Sequence, residues 1–378
     1  MKIYTSGQIK NIALLGSSGS GKTTLAEAML FEGGVINRRG DIESKNTVSD
    51  YHRVEHEYGY SVYSTVLFTE YLDKKLNIID CPGSDDFING AITSLNVTDT
   101  AILVMNAAQG VEVGTLNMFR YTEKYKKPVI LLSNQLDHEK ANYEHTIEMA
   151  REAFGSKVVI VQYPVNTGSG FNAVVDVLKM KLYTWGPNGG TPEISEIPAA
   201  EKAKADELHN ALVEAAAEND EKLMELFFET GNLDEEELRM GIRKGLIHRD
   251  LFPVFCASAK KDMGIRRFME FLGNIVPNVS QMAPPKTIAG DEIACDENAP
   301  ASIFVFKSSI EPHLGEVSFF KVMSGKIQEG MDLVNTNRDA KERIAQLFCV
   351  AGTNRHKVTE LVAGDIGATV KLKETHTN

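Results

Sequence analysis

Residues 16–23 read Gly-Ser-Ser-Gly-Ser-Gly-Lys-Thr, a G-x-x-x-x-G-K-[ST] spacing suited to holding a phosphate chain. Gly16, Gly19 and Gly21 let the backbone through Ser17, Ser18 and Ser20 curl, so that several N–H groups point at one phosphate chain. The N-terminus of a helix opening near Thr24 adds positive potential. Lys22 is expected to reach the β and γ phosphates, and the Thr23 hydroxyl to bind Mg²⁺. A flexible Gly/Ser-rich loop has the same composition. The place of this loop, between an apolar run and a helical pattern, favours the phosphate reading.

A second stretch, NIIDCPGSDDF (77–87), ends an apolar run on Asp80. A carboxylate at the end of a buried strand is where a nucleotide fold supports Mg²⁺ through water. Gly83, lacking a Cβ, lets a backbone N–H approach a γ-phosphate. Taken alone, Asp-Cys-Pro-Gly also fits an ordinary turn. Residues 134–137, Asn-Gln-Leu-Asp, end another apolar run. A carboxylate at Asp137 can accept from guanine N1–H and the exocyclic amine together, a donor pair that adenine lacks. Asn134 could tie this loop to the phosphate loop. Asp137 could instead cap a following helix. Ser258-Ala259-Lys260 ends the last apolar run, where a backbone N–H could meet guanine O6. Four loops in this order favour GTP or GDP over ATP.

The elements that must hold these loops are legible in outline. IKNIALL (9–15), LNIID (76–80), AILVMNA (101–107), PVILLSN (128–134) and LFPVFCASA (251–259) read as buried strands. Helical patterns such as TLAEAMLF and MFRYTEKYKK separate them. Strands alternating with helices predict an α/β domain, a mostly parallel sheet with helices on both faces. Its ligand loops fall at the carboxyl ends of the strands. Residues 158–250 interrupt the alternation with a strand-like VVIVQYPV and a long acidic helical region. Within 201–240 there are 13 acids and 4 bases, net −9. Leu208, Leu212, Leu223, Leu226 and Phe227 form its candidate buried stripe. Asp234 and Glu237 have capping-box spacing, and Gly245 is a candidate helix end. The acidic face is either a docking surface or simply solvated. After a linker-like stretch at 281–300, short strands split by Gly and Asn turns predict a small antiparallel β-barrel.

The 378 residues, 43% hydrophobic and 24% charged, suit a soluble protein of two or three domains. No apolar stretch reaches the roughly 18 residues that span a bilayer. MKIYTSGQIK lacks the apolar core of a signal peptide. Cys81, Cys256, Cys295 and Cys349 are scattered, which favours free thiols and a reducing cytoplasm. A net charge of −12 opposes broad nucleic-acid binding, so no DNA partner and no membrane are expected. His52-Arg53-Val54-Glu55-His56 fits the H-x-x-E-H zinc pattern, but no third ligand is evident.

GSSGSGKTT, DCPG, NQLD and SAK resemble the G1, G3, G4 and G5 motifs of the GTP-binding superfamily, and the remainder resembles elongation factor G. HEYGYSV (56–62) is similar to its first switch segment, and GFNAVVDVLKMKLYTW (170–185) to the start of its inserted G′ subdomain. FKVMSGKIQEG and AGDIGATVKLK resemble its second, β-barrel domain. The resemblance covers essentially the whole chain but only the front half of that family, so a piece of a longer protein is expected. It implies a G domain over 1–280 with the insert at about 158–250, a linker over 281–300, and a barrel over 301–378. It implies GTP/GDP with Mg²⁺ held by Thr23, Ser61 and, through water, Asp80. It also implies a cytoplasmic, monomeric factor acting on the ribosome in translocation, the acidic insert on the stalk protein and the barrel on the small subunit. A P-loop kinase or ATPase is disfavoured by NQLD, SAK and the barrel.

The chain departs from the family pattern where chemistry is concerned. The family has a histidine after Asp-x-Pro-Gly that positions the attacking water; here Ser84 stands there. Asp86 matches a family Asp without that role, leaving Asp85 as the new carboxylate. The lysine that packs over guanine is Gln135, a phosphate-loop Asp is Gly19, and Arg-Gly-Ile-Thr is Tyr58-Gly59-Tyr60-Ser61. Lys22 and Gly83 therefore keep their catalytic places while residue 84 does not. Hydrolysis is expected to be slow. The alternative is a nucleotide-gated factor that does not hydrolyse GTP and that recycles or protects ribosomes.

Overall fold

Ile9–Leu15 (β1) is buried along its whole length, which a strand manages only with partners on both edges and cover on both faces. The computed structural model describes residues 2–311 and 315–377. Residues 1 and 378, the outer limits of the expected domains, and 312–314 lie outside them. From β1 the chain runs through α1 (Lys22–Glu32), α2 (Arg53–Tyr58), β2 (Thr65–Tyr71), β3 (Lys74–Asp80) and α3 (Ile88–Val97). It continues through β4 (Thr100–Asn106), α4 (Val113–Lys124), β5 (Val129–Asn134), α5 (Tyr143–Phe154) and β6 (Val158–Ile160). A meander β7 (Gln162–Pro164), β8 (Ala173–Asp176), β9 (Lys181–Thr184) and β10 (Glu193–Ser195) comes next, then α6 (Ala199–Ala217), α7 (Glu221–Thr230) and α8 (Glu235–His248). The chain returns through β11 (Phe252–Cys256) and α9 (Ile265–Asn274).

The seven-stranded sheet has the order β2-β3-β1-β4-β5-β11-β6, parallel except for β2. Its register sets the site. Leu14 lies opposite Asp80, Asn106 opposite Asn134, and Ser133 opposite Cys256, so β1, β3, β5 and β11 deliver their loops to one edge.

Three features differ from the sequence expectations. Strand β2 was not anticipated; it pairs antiparallel with β3 across a two-residue turn, Leu72-Asp73, with φ of 45° and 60°. That is hairpin geometry without the Asn-Gly signature that normally announces it. The single run at 158–165 is two strands: β6 ends the main sheet, and β7 starts the four-stranded sheet β10-β9-β8-β7. Gly245 does not end its helix. A Cβ there would fall 2.8 Å from that of Leu251, so the glycine serves close packing, and α8 runs on to His248 with Arg249 (φ 62°) as its left-handed cap. The capping box does form, Asp234 accepting from the Glu237 N–H at 2.9 Å and Glu237 from the Asp234 N–H at 2.7 Å.

The second part of the chain is antiparallel throughout: β12 (Ser302–Glu311), β13 (Gly315–Ser324), β14 (Lys326–Gln328), β15 (Asp332–Asn335), β16 (Ala340–Arg343), β17 (Leu347–Ala351), β18 (Asn354–Val358), β19 (Glu360–Val362) and β20 (Ile366–Val370). Phe319, Phe320, Ile327, Leu347 and Ile366 fill this barrel. A buried polar seam joins it to the main sheet. Lys75 Nζ donates to both Asp365 oxygens at 2.7 and 2.9 Å, and Asn77 donates to Asp365 at 2.9 Å. Asn11 donates to Asp99 and to the Gly364 carbonyl, each at 2.7 Å, and Lys321 donates to Asp99 at 2.8 Å.

Candidate functional site

The phosphate loop leaves β1 at Gly16, whose φ of +136° and whose approach to the Val104 carbonyl exclude a side chain. Gly21, also left-handed, lies so close to Asn134 that a Cβ would meet its amide nitrogen at 2.5 Å. The loop thus curls against β4 and β5 and launches α1 at Lys22. Lys22 Nζ donates to the Gly16 carbonyl at 2.9 Å and to the Ser17 carbonyl at 2.8 Å. Burial lowers its pKa below the usual lysine range. Gly83 packs directly on this loop: a Cβ would fall 2.5 Å from Lys22 Nζ and 2.6 Å from the Ser18 nitrogen. Its backbone therefore closes directly over the loop.

Behind the loop lies a pocket of oxygens. Asp80 Oδ2 accepts from Thr23 and from Ser49, each at 2.7 Å. Ser61 Oγ is 3.2 Å from Thr23 Oγ1. Asp80 Oδ1 and both Asp50 oxygens are buried without a hydrogen-bond partner. Burial raises the pKa of Asp80, and burial together with the Asp80 charge raises that of Asp50 to about 7. Two buried carboxylates and three hydroxyls, with Lys22 as the nearby cation, are a hard-cation donor set and fit Mg²⁺.

The base loops meet on the other side. Asn134 Nδ2 donates to the Ser20 carbonyl at 3.0 Å, and its Oδ1 accepts the Ala259 N–H at 3.0 Å. Gln135 Nε2 donates to the Gly19 carbonyl at 2.8 Å. Asp137 accepts from Ser258 Oγ at 2.6 Å; the cap of α5 is Asn142, not Asp137. Gly21, Thr24, Asn134, Asp137 and Lys260 line a cleft of about 480 Å³.

This arrangement has counterparts. Residues 7–278 match the elongation factor Tu GTP binding domain family. The chain belongs to that family. Residues 300–378 match elongation factor G domain 2. A crystal structure of a protein from Thermus thermophilus aligns with a TM-score of 0.88 at 25% identity, over 98% of this chain and 53% of that one. The elongation-factor chain thus spans about half the length of that solved structure.

Ser84 precedes a short turn, Asp85–Phe87, and its side chain makes no capping hydrogen bond. Asp85 faces α4, accepting from Asn117 Nδ2 at 3.1 Å, and Asp86 is exposed. Among the described residues, no hydrogen bond links either carboxylate to the phosphate loop. A half-buried carboxylate that does flank it is Glu112, the N-cap residue of α4; burial raises its pKa, partly offset by Lys22. The elongation-factor motifs gave no warning of Ser49, Asp50 or Glu112. A Ser-Asp pair upstream of Ser61 was the sole trace of the first two. Arg39, in the loop between α1 and α2 upstream of the first switch segment, was missed as well; its Nη1 donates to the Ala259 carbonyl at 2.9 Å and ties that loop to the base loop. The H-x-x-E-H residues brace that switch. Glu55 accepts the N–H groups of Val62 and Tyr63 at 3.0 and 3.1 Å, and His56 Nε2 lies 2.8 Å from the Asp50 carbonyl.

Proposed function

We propose that the chain is the nucleotide-sensing part of an elongation-factor-G-like translation factor that binds Mg²⁺ with GTP or GDP and hydrolyses GTP slowly. Thr23, Ser49 and Ser61 supply hydroxyls to the metal, and Asp80 and Asp50 support it. Lys22 and the loop amides hold phosphate, and Asn134, Asp137 and Ser258–Lys260 hold guanine. Mg²⁺ supplies charge neutralisation at the phosphates when bound. The ribosome is the partner, with the acidic insert on the stalk protein and the barrel on the small subunit, in the cytoplasm.

The observation that carries this reading is the division within residues 80–85. Asp80 sits in a complete oxygen nest with one oxygen unspent. Four residues on, Ser84 offers one short hydroxyl that does not change charge near neutral pH, and Asp85 is engaged by Asn117. Loss of a water-positioning group costs about 10²–10⁴-fold in rate.

Single-turnover GTP hydrolysis, with and without ribosomes, tests it. Turnover should be slow, and Ser84→His should raise it by about 10²-fold or more. A wild-type rate like that of an ordinary family member, or no gain from the histidine, overturns the argument. ATP should compete poorly for the site; equal ATP affinity overturns the guanine assignment. The engagement of Asp85 by Asn117 also favours a second reading, in which GTP acts only as a conformational ligand and ribosomes stimulate no phosphate release.

A further inference from the structure

We infer that the barrel is a working part of the metal pocket: Lys307, Glu311 and Gly352 clasp the stretch 48–64, which contains the first switch segment, close to Ser49 and Ser61 and hold both hydroxyls in place. The inference rests on the Mg²⁺–nucleotide reading above and adds positioning residues to it from the second domain.

The contacts fall at two points. Near Ser49, the turn between β17 and β18 presses against the preceding residue. A Cβ on Gly352 would lie 2.1 Å from the Val48 carbonyl, and the Gly352 N–H donates to the Val66 carbonyl at 3.2 Å. Two residues past Ser49, Tyr51 Oη lies 3.4 Å from Glu311 Oε1, and Arg355 pairs with the other Glu311 oxygen. Three residues past Ser61, Lys307 Nζ donates to the Ser64 carbonyl while lying over the Phe319 ring at 5.4 Å. Each hydroxyl-bearing stretch is thus fixed from the barrel side within three residues.

The G domain supplies the opposing grip. Glu27 of α1 accepts the Gly40 N–H at 2.8 Å and also the Val48 N–H, and Ser49 donates to Asp80. A loop gripped from one side only, with few buried apolar contacts of its own, opens readily. The segment 59–64 has half-buried or exposed side chains throughout. Without Lys307, the hydrogen bonds that hold its backbone among the described residues are that of the Gly59 N–H to the Glu55 carbonyl and those of the Val62 and Tyr63 N–H groups to the Glu55 carboxylate. The barrel thereby makes metal retention depend on how the two domains are docked, and a partner that shifts the barrel shifts the metal's hydroxyl ligands with it.

Two readouts on the full chain test this, with thermal unfolding run beside them as a check on folding. The first is tryptic cleavage at Arg53 in nucleotide-free protein, where that side chain is 92% exposed. The second is the Mg²⁺ concentration needed for half-maximal retention of a fluorescent non-hydrolysable GTP analogue. Lys307→Met should speed the cleavage and raise the Mg²⁺ requirement about tenfold, the size of one charge-assisted hydrogen bond. Nucleotide binding in EDTA should stay unchanged. Lys307→Arg, which keeps a donor, should restore both readouts. Tyr51→Phe, which spares the barrel, should move both in the same direction by a smaller factor, and it keeps the test open should Lys307→Met fail to fold. Variants that match wild type in cleavage and in Mg²⁺ requirement overturn the clasp alone. A wild-type protein that retains no guanine nucleotide in Mg²⁺ overturns the proposed function and this inference with it.

Discussion

The oxygen pocket behind the phosphate loop and the seam beneath the barrel both bury carboxylates, but they satisfy them differently. At the seam, Asp365 receives Lys75 on both oxygens and Asn77 as well, and Asp99 receives Lys321 and Asn11. In the pocket, Asp80 keeps one oxygen free and Asp50 keeps two. A buried charge with a full set of partners is costly to break, because removing one partner strands the other. Under the proposed function, the unpartnered oxygens of Asp80 and Asp50 are left for a bound cation.

Breaking the seam should cost most. Asp365→Ala leaves the Lys75 ammonium buried and unpaired, and should lower unfolding free energy by about 3–5 kcal/mol in a denaturant titration. A loss under about 1 kcal/mol would mean that the seam is not the joint it resembles. Next in size is ligand stabilisation. GDP with Mg²⁺ at about 100 times its dissociation constant should add about 2.7 kcal/mol, read as a rise in Tm. Asp80→Asn should go the other way from Asp365→Ala. It removes a charge that lacks a full set of partners, so the ligand-free protein should gain about 1–2 kcal/mol while the Mg²⁺-dependent gain from GDP disappears. Destabilisation by Asp80→Asn would erase the distinction between the two regions.

The smallest effect is a pH slope. Lys10, in β1, is buried and donates to the Val276 carbonyl at 2.6 Å; burial, with Arg243 adding to it, pushes its pKa down to about 7. Its unfolded value is 10.5, so between about 7 and 10.5 the unfolded chain binds a proton that the folded chain does not. Stability contributed by Lys10 should therefore rise with pH across that window, by about 1 kcal/mol per unit, and Lys10→Met should flatten the slope. An unchanged slope in the variant would assign it to other groups.

Much of the fold was legible because its signals are local. Buried parallel strands read as apolar runs, and β1 at Ile9–Leu15 coincides with IKNIALL. Strand β2 was not legible, because Leu72-Asp73 makes a tight hairpin turn from residues that do not advertise one. Gly245 misled for a related reason: a glycine in a helix can mark an end or a close approach, and only the position of Leu251 distinguishes them.

The sequence by itself determined the phosphate loop, the terminal Asp80, the Asn134–Asp137 loop and Ser258–Lys260. Each begins at or just past the end of a buried strand, and the phosphate loop adds glycines of its own. It also determined that residue 84 is a serine and not an imidazole. Tertiary structure alone decided which acids and hydroxyls join them. Ser49 and Asp50 enter the pocket, Asp85 turns to Asn117 instead, and Lys307 reaches the switch from another domain. These contacts link residues 31 to 243 positions apart, and what brings such groups together is the packing of sheet, helices and barrel, on which local spacing carries no information.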